Sequence, residues 1–150
     1  TRREWGVLTA GTVVEGRYEI LALLASGGMG AVYRARRVLL GAFVNASAVL
    51  EAAGGEAELA VVCAGKLGGF ALEDAAFAGW LVERLARRGA RVAGAAAAFA
   101  RGSAPRDAGE VRALVQGSAH GRYLRSLGPE YARDVEFCAG LDTVGEVFEL

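Results

Sequence analysis

Val38-Leu39-Leu40-Gly41-Ala42-Phe43, then Val44-Asn45-Ala46-Ser47-Ala48-Val49-Leu50-Glu51-Ala52-Ala53-Gly54-Gly55, then Leu59-Ala60-Val61-Val62-Cys63, is the stretch whose order decides the fold class. A short unbroken apolar run is the pattern of a strand covered on both faces of a parallel sheet. Asn45 is a good N-cap for a helix over 46–53, and Gly54-Gly55 stops that helix. The second apolar run, 59–63, reads as another buried strand. Together the three pieces predict a βαβ unit with a right-handed crossover, and so an α/β protein built as a partial layered domain around a parallel βαβ unit.

Downstream, 65–69 is a glycine-rich loop. A strongly amphipathic helix over 71–88 follows, in which Phe77, Leu81 and Leu85 recur at i, i+4 and i+8. Helices are expected over 91–101, 110–116, 118–127 and 130–139, with a polar loop at 102–109, punctuation at Gly128-Pro129 and a closing strand at 146–150. Upstream the texture differs. Residues 18–24 and 31–38 are β-rich runs on either side of Ser26-Gly27-Gly28-Met29-Gly30, the pattern of an antiparallel hairpin, and 1–15 reads as an irregular tail. The hydrophobic pattern changes from alternating to continuous between Arg34 and Val38. The domains expected are therefore a hairpin appendage over 1–37 and an α/β domain over 38–150.

With 17 basic and 17 acidic residues, the chain lacks the broad positive field of a nucleic-acid binder. Its apolar fraction is 53%, but much of this is alanine, and the smoothest run, 92–100, is far below the ~18 residues of a membrane span. No basic-then-apolar leader opens the sequence, and two cysteines are too few for a disulfide scaffold, so the expected setting is soluble and cytoplasmic. Cys63 and Cys138 lie in apolar segments and read as core thiols, and Phe77 and Phe137 as core aromatics.

The segment Cys63-Ala64-Gly65-Lys66-Leu67-Gly68-Gly69 leaves an expected strand end and enters a helix, the place where open α/β sheets bind ligands. Backbone N–H groups there suit a phosphate or sulfonate, and Lys66 adds a point charge. Glu73 and Asp74 come next. Two carboxylates beside a phosphate dianion repel it unless a cation intervenes, and magnesium, which prefers carboxylate and phosphate oxygens, resolves the conflict. First-turn acids are also favoured by the helix dipole alone, and Asn45 serves equally as a plain N-cap or a ligand contact. His120 is the chain's single histidine, which leaves a structural role open beside a catalytic one. Asp134 and Asp142 read as first-turn and C-terminal capping residues.

Two resemblances attach to these motifs. Residues 14–36, with Gly16-Arg17-Tyr18-Glu19-Ile20 and Ser26-Gly27-Gly28-Met29-Gly30-Ala31-Val32-Tyr33, resemble the glycine-rich hairpin of bacterial Ser/Thr protein kinases. Yet the lysine strand, the His-Arg-Asp loop and the Asp-Phe-Gly motif that kinase chemistry requires are absent. Residues 38–150 resemble the C-terminal half of the 2-phosphosulfolactate phosphatase family, through Phe43-Val44-Asn45-Ala46-Ser47-Ala48-Val49, Val62-Cys63-Ala64-Gly65, Phe70-Ala71-Leu72-Glu73-Asp74, Ser118-Ala119-His120-Gly121-Arg122 and Asp134-Val135-Glu136-Phe137-Cys138-Ala139. That resemblance implies magnesium-dependent hydrolysis of 2-phosphosulfolactate to sulfolactate and phosphate, toward coenzyme M. The implied catalytic residues are Glu73, Asp74 and His120, and the implied metal ligands Glu73, Asp74 and Asp134; Asp142 also matches the family's closing pattern, which leaves a ligand role open for it beside capping. Asn45, Gly65, Lys66 and Gly68 would contact a small phosphorylated sulfonate, although Lys66 stands where the family more often carries an uncharged residue. No nucleic acid or membrane partner is implied, and homo-oligomerisation stays open. The seam near Arg37 fits a truncated or fused member holding part of a site, with a non-catalytic remnant or a nucleotide-binding kinase fragment as the alternatives.

Overall fold

The structure, a computed structural model, describes residues 8–14, 18–27, 30–56, 58–66 and 69–149. It divides into two compact units. The first holds the described residues up to Leu40 together with Phe148 and Glu149; the second is Gly41–Val147.

In the first unit β1 (Val13–Val14), β2 (Tyr18–Gly27) and β3 (Gly30–Arg36) form an antiparallel sheet in the order β1-β2-β3. The hairpin lies where the alternating pattern predicts it. Its turn residues Gly28 and Met29 lie outside the described residues. The register runs from Glu19 opposite Arg36 to Gly27 opposite Gly30 and shifts twice, between Ile20 and Ala22 and between Leu23 and Ala25. Part of the expected irregular tail is instead ordered by pairing, since Gly11 N–H donates to Ile20 O and Ile20 N–H donates to Thr12 O, both at 2.8 Å. Arg36 and Glu19, directly opposite, form an ion pair at 2.7 Å. A second small sheet pairs β4 (Leu39–Leu40) with β5 (Phe148–Glu149), antiparallel.

The second unit is helical: α1 (Ala46–Ala53), α2 (Leu72–Arg87), α3 (Ala95–Gly102), α4 (Ala108–Gly117), α5 (Ala119–Leu127) and α6 (Pro129–Cys138), with a 3₁₀ turn at Phe43–Asn45. The protein is thus mixed α/β and mostly helical. The expected parallel βαβ unit is not formed among the described residues. Residues 59–63 run without any ladder partner and are all exposed, Val62 at 87%, and 39–40 pairs antiparallel with the chain's last strand. The physical reason is that a doubly covered strand needs neighbours on both edges and layers on both faces. Here the apolar faces of α1, α2, α4 and α6 cover one another instead. Phe43, Val49, Leu50, Phe77, Trp80, Leu81, Val111, Val115 and Val135 make one core, with Phe43 edge-on to Phe77 at 5.5 Å between ring centroids.

Two approaches in this unit require glycine. A side chain at Gly79 would bring a Cβ within 2.0 Å of Ala100 O, so α2 and α3 meet backbone to backbone. A Cβ at Gly121 would lie 2.1 Å from Val115 O, which lets α5 turn sharply off the end of α4. The expected core status of Phe137, Cys63 and Cys138 is corrected: all three are exposed, because the helix face carrying Phe137 and Cys138 looks outward and 59–63 is uncovered.

Candidate active site

Lys66 and His120 are 54 residues apart in sequence and meet in space, the Lys66 ammonium donating to His120 Nδ1. Three local features place them. Lys66 and Gly69 bridge each other, Lys66 N–H to Gly69 O at 3.1 Å and Gly69 N–H to Lys66 O at 2.8 Å, closing the loop into a tight turn. Positive φ at Gly65, 70°, allows the chain to enter that turn, where a Cβ would lie 2.5 Å from Gly69 O. Finally, buried Ser118 caps α5: its Oγ accepts from Gly121 N–H at 2.9 Å and donates to Val115 O at 3.1 Å, which fixes the first turn carrying His120.

A cavity of about 340 Å³ lies here, lined by Lys66, Phe70, Ala71, Leu72, Glu73, Ser118, Ala119 and His120. It opens at the N-terminus of α2, where Ala71 provides no side-chain cap and Glu73 and Asp74 occupy the first turn. Asp74 turns to the loop, its Oδ2 accepting from Gly65 N–H at 2.7 Å. The carboxylate therefore occupies a donor that an incoming oxyanion would seek. Because lysine only donates, His120 Nδ1 is the acceptor, and in the neutral ring the proton sits on Nε2. Tyr123, one turn along α5, lies under the ammonium with its ring centroid 5.0 Å from Lys66 Nζ. Cys63 is near Asp74, and partial burial, then that carboxylate, push its thiol above the usual cysteine range. A thiol held protonated is not a nucleophile at neutral pH.

The structure therefore gathers Lys66, Glu73 and His120 around one cavity, with Gly65 and Asp74 bonded to each other beside it. Gly68 lies outside the described residues. Asn45 is elsewhere employed: it is buried, its Oδ1 accepts from Ala42 N–H at 2.9 Å, and its Nδ2 donates to Glu146 O at 3.2 Å. Asp134 is exposed on α6 and does not line the cavity; with partial burial, it holds the neighbouring Cys138 thiol high. Asp142 binds Ser47, accepting from its N–H at 2.6 Å and its Oγ–H at 2.7 Å. No cluster of three His, Cys, Asp or Glu side chains suited to a metal occurs among the described residues. The carboxylates at this end of α2 are Glu73 and Asp74, and magnesium is the cation that keeps most of its waters and takes only one or two carboxylates plus phosphate oxygens. Sequence reasoning missed Tyr123, although its i+3 spacing from His120 puts both on one helix face.

A larger cavity, about 740 Å³, lies at the other end of α2 and is lined by Arg84, Arg87, Arg101 and Arg106 with Glu83. Its arginines are already engaged. Glu83 holds Arg87 at 2.7 Å and Arg101 at 2.5 Å, Arg106 pairs with Glu110, and Arg84 stacks on Trp80 at 3.7 Å. The C-terminal ends of α2 and α3 also point their negative dipoles there, which favours arginine without any ligand.

Residues 23–150 match the profile of the family described as 2-phosphosulpholactate phosphatase, a span that opens inside β2. Among curated relatives, a probable 2-phosphosulfolactate phosphatase of Thermotoga petrophila is 35% identical over 109 residues, covering 73% of this chain and 46% of that protein. One from Synechococcus sp. strain JA-3-3Ab is 36% identical over 114 residues, with the same two shares covered. The chain thus spans about half the length of the curated relatives it matches. A profile match over most of the chain, together with relatives at this identity, establishes that the chain belongs to the 2-phosphosulfolactate phosphatase family.

Proposed function

We propose that the cavity between the 65–69 turn, α2 and α5 binds the phosphate of 2-phosphosulfolactate and takes part in hydrolysing it to sulfolactate and phosphate, in the cytoplasm and on the way to coenzyme M. The observation that carries this reading is the meeting of Lys66 and His120 over a helix N-terminus whose first turn bears Glu73 and Asp74. The Lys66 ammonium offsets phosphate charge, and the amides of the α2 N-terminus donate to its oxygens. His120, in the neutral ring with its proton on Nε2, can donate a hydrogen bond from that nitrogen to the departing ester oxygen. Glu73 can accept the proton of the attacking water. Magnesium, when bound by Glu73 and Asp74, supplies charge neutralisation and polarisation of the phosphoryl group. With Asp74 holding such an ion, Gly65 N–H, the donor it now accepts from, would be open to a phosphate oxygen.

The relatives' greater length favours a chain that contributes part of a site, so turnover by these 150 residues alone should fall below the ~1 to 10³ per second of ordinary enzymes. Binding tests the reading directly. Calorimetry with inorganic phosphate should show magnesium-dependent affinity that drops at least about tenfold in Lys66→Met. In Glu73→Ala, Asp74→Ala the magnesium dependence should vanish. If that pair merely satisfies the helix dipole, the double variant loses about 1 kcal/mol of stability and binds phosphate as before, and the reading is wrong.

A further inference from the structure

We propose that Tyr123 is a positioning residue for Lys66, so that α5 grips the lysine at two points and aims its ammonium at the phosphate. The proposal rests on the reading that Lys66 meets the substrate's oxyanion. A lysine side chain has four rotatable carbons and three donors, and a half-buried one at a cavity edge samples many directions unless something holds it. Here two contacts do so, both from one face of α5. His120 Nδ1 takes one N–H, and the Tyr123 ring lies 5.0 Å below the nitrogen, within the ~6 Å over which a ring face attracts a cation. With one donor spent on the imidazole and one side shielded by the ring, two donors remain for the cavity that Lys66 lines together with Leu72 and Glu73. Tyr123 itself is 55% exposed, more than its partner His120, and does not line the cavity. Burial therefore does not explain its place beneath the ammonium; the charge above it does.

The chain contains one lysine and one histidine, so the device can be watched without overlap. In the ¹⁵N-labelled 150-residue chain, the neutral His120 ring should carry its proton on Nε2, and its Nδ1 resonance should move in Lys66→Met as the donor disappears. Tyr123→Phe keeps the ring face and should leave both the Nδ1 resonance and the affinity for inorganic phosphate unchanged. Tyr123→Leu removes the face. It should shift Nδ1 toward the Lys66→Met position and weaken phosphate binding about 2- to 5-fold, the cation–π range for an exposed site. Backbone amide spectra of α5 identify any variant that has lost the helix, and in that case Tyr123→Met replaces Leu. Wild-type values for Tyr123→Leu in both measurements overturn the proposal, as does an equal loss in Tyr123→Phe, which would assign the effect to the hydroxyl. Absence of phosphate binding in the parent chain overturns the functional reading, while the Nδ1 resonance still decides whether Tyr123 holds Lys66.

Discussion

Asp142 illustrates how a residue of ambiguous chemistry finds a structural task. It sits at φ 57°, the left-handed region that non-glycine residues rarely occupy, and from there its carboxylate takes both the N–H and the Oγ–H of Ser47 in the first turn of α1. The cap on this helix thus comes from 95 residues downstream, not from Asn45, which the sequence marks as the N-cap and which makes no side-chain cap. Loss of the cap and of a residue tolerant of this conformation should reinforce each other in Asp142→Ala, costing about 2 kcal/mol or more by urea denaturation. Asp142→Gly, free of the conformational penalty, should lose only about 1 kcal/mol. A loss as large in Gly as in Ala would show that φ contributes nothing. Long-range pairs of this kind explain why the site was only partly legible. Lys66, Glu73 and Asp74 are legible one at a time from residue type and local spacing, and a catalytic role for His120 only from the family resemblance of 118–122. Nothing local could announce that Lys66 would land on the His120–Tyr123 face.

Elements were legible in proportion to how far their own periodicity decides them. The helix over α2 could be read because Phe77, Leu81 and Leu85 define its buried face without reference to a partner, and the helix over α1 came out with the bounds expected. The run 59–63 could not. Its composition describes a strand with neighbours, and the neighbours were not encoded nearby. The α2–α3 joint shows the opposite dependence on charge: besides the glycine contact at Gly79, it is tied by Glu83, which bridges Arg101 and Arg87. The Arg101 guanidinium, then Arg87, hold the Glu83 carboxyl below its usual value. A depressed carboxylate stabilises above its unfolded pKa and loses that contribution as pH falls through its folded one. The joint should therefore be intact at neutral pH and loosen below about pH 4. Protection factors of the 95–102 amides, taken against the intrinsic exchange rate at each pH, should fall between pH 7 and pH 3 in the parent and show no such pH step in Glu83→Gln.

At the scale of the whole molecule, the uncovered segment 58–64 is the feature to test. With Val62 87% exposed, Val62→Lys should change stability by no more than about 0.5 kcal/mol in urea denaturation. A loss of ~2 kcal/mol or more would mean that the segment is buried in solution, as its composition suggests. The second unit closes on itself at its two ends. Asp142 N–H donates to Phe43 O at 3.0 Å, Val144 N–H to Val44 O at 2.7 Å and Asn45 Nδ2–H to Glu146 O at 3.2 Å, so residues 42–47 and 142–146 run side by side. A fold whose entry and exit are stitched together has no preferred starting point. Gly41 and Val147 could be joined by a short linker and new termini opened in 58–64, giving a circularly permuted order of the same helices around the same core. By the same closure, the whole unit could sit as an insertion within an unrelated host chain, entering and leaving through a single seam.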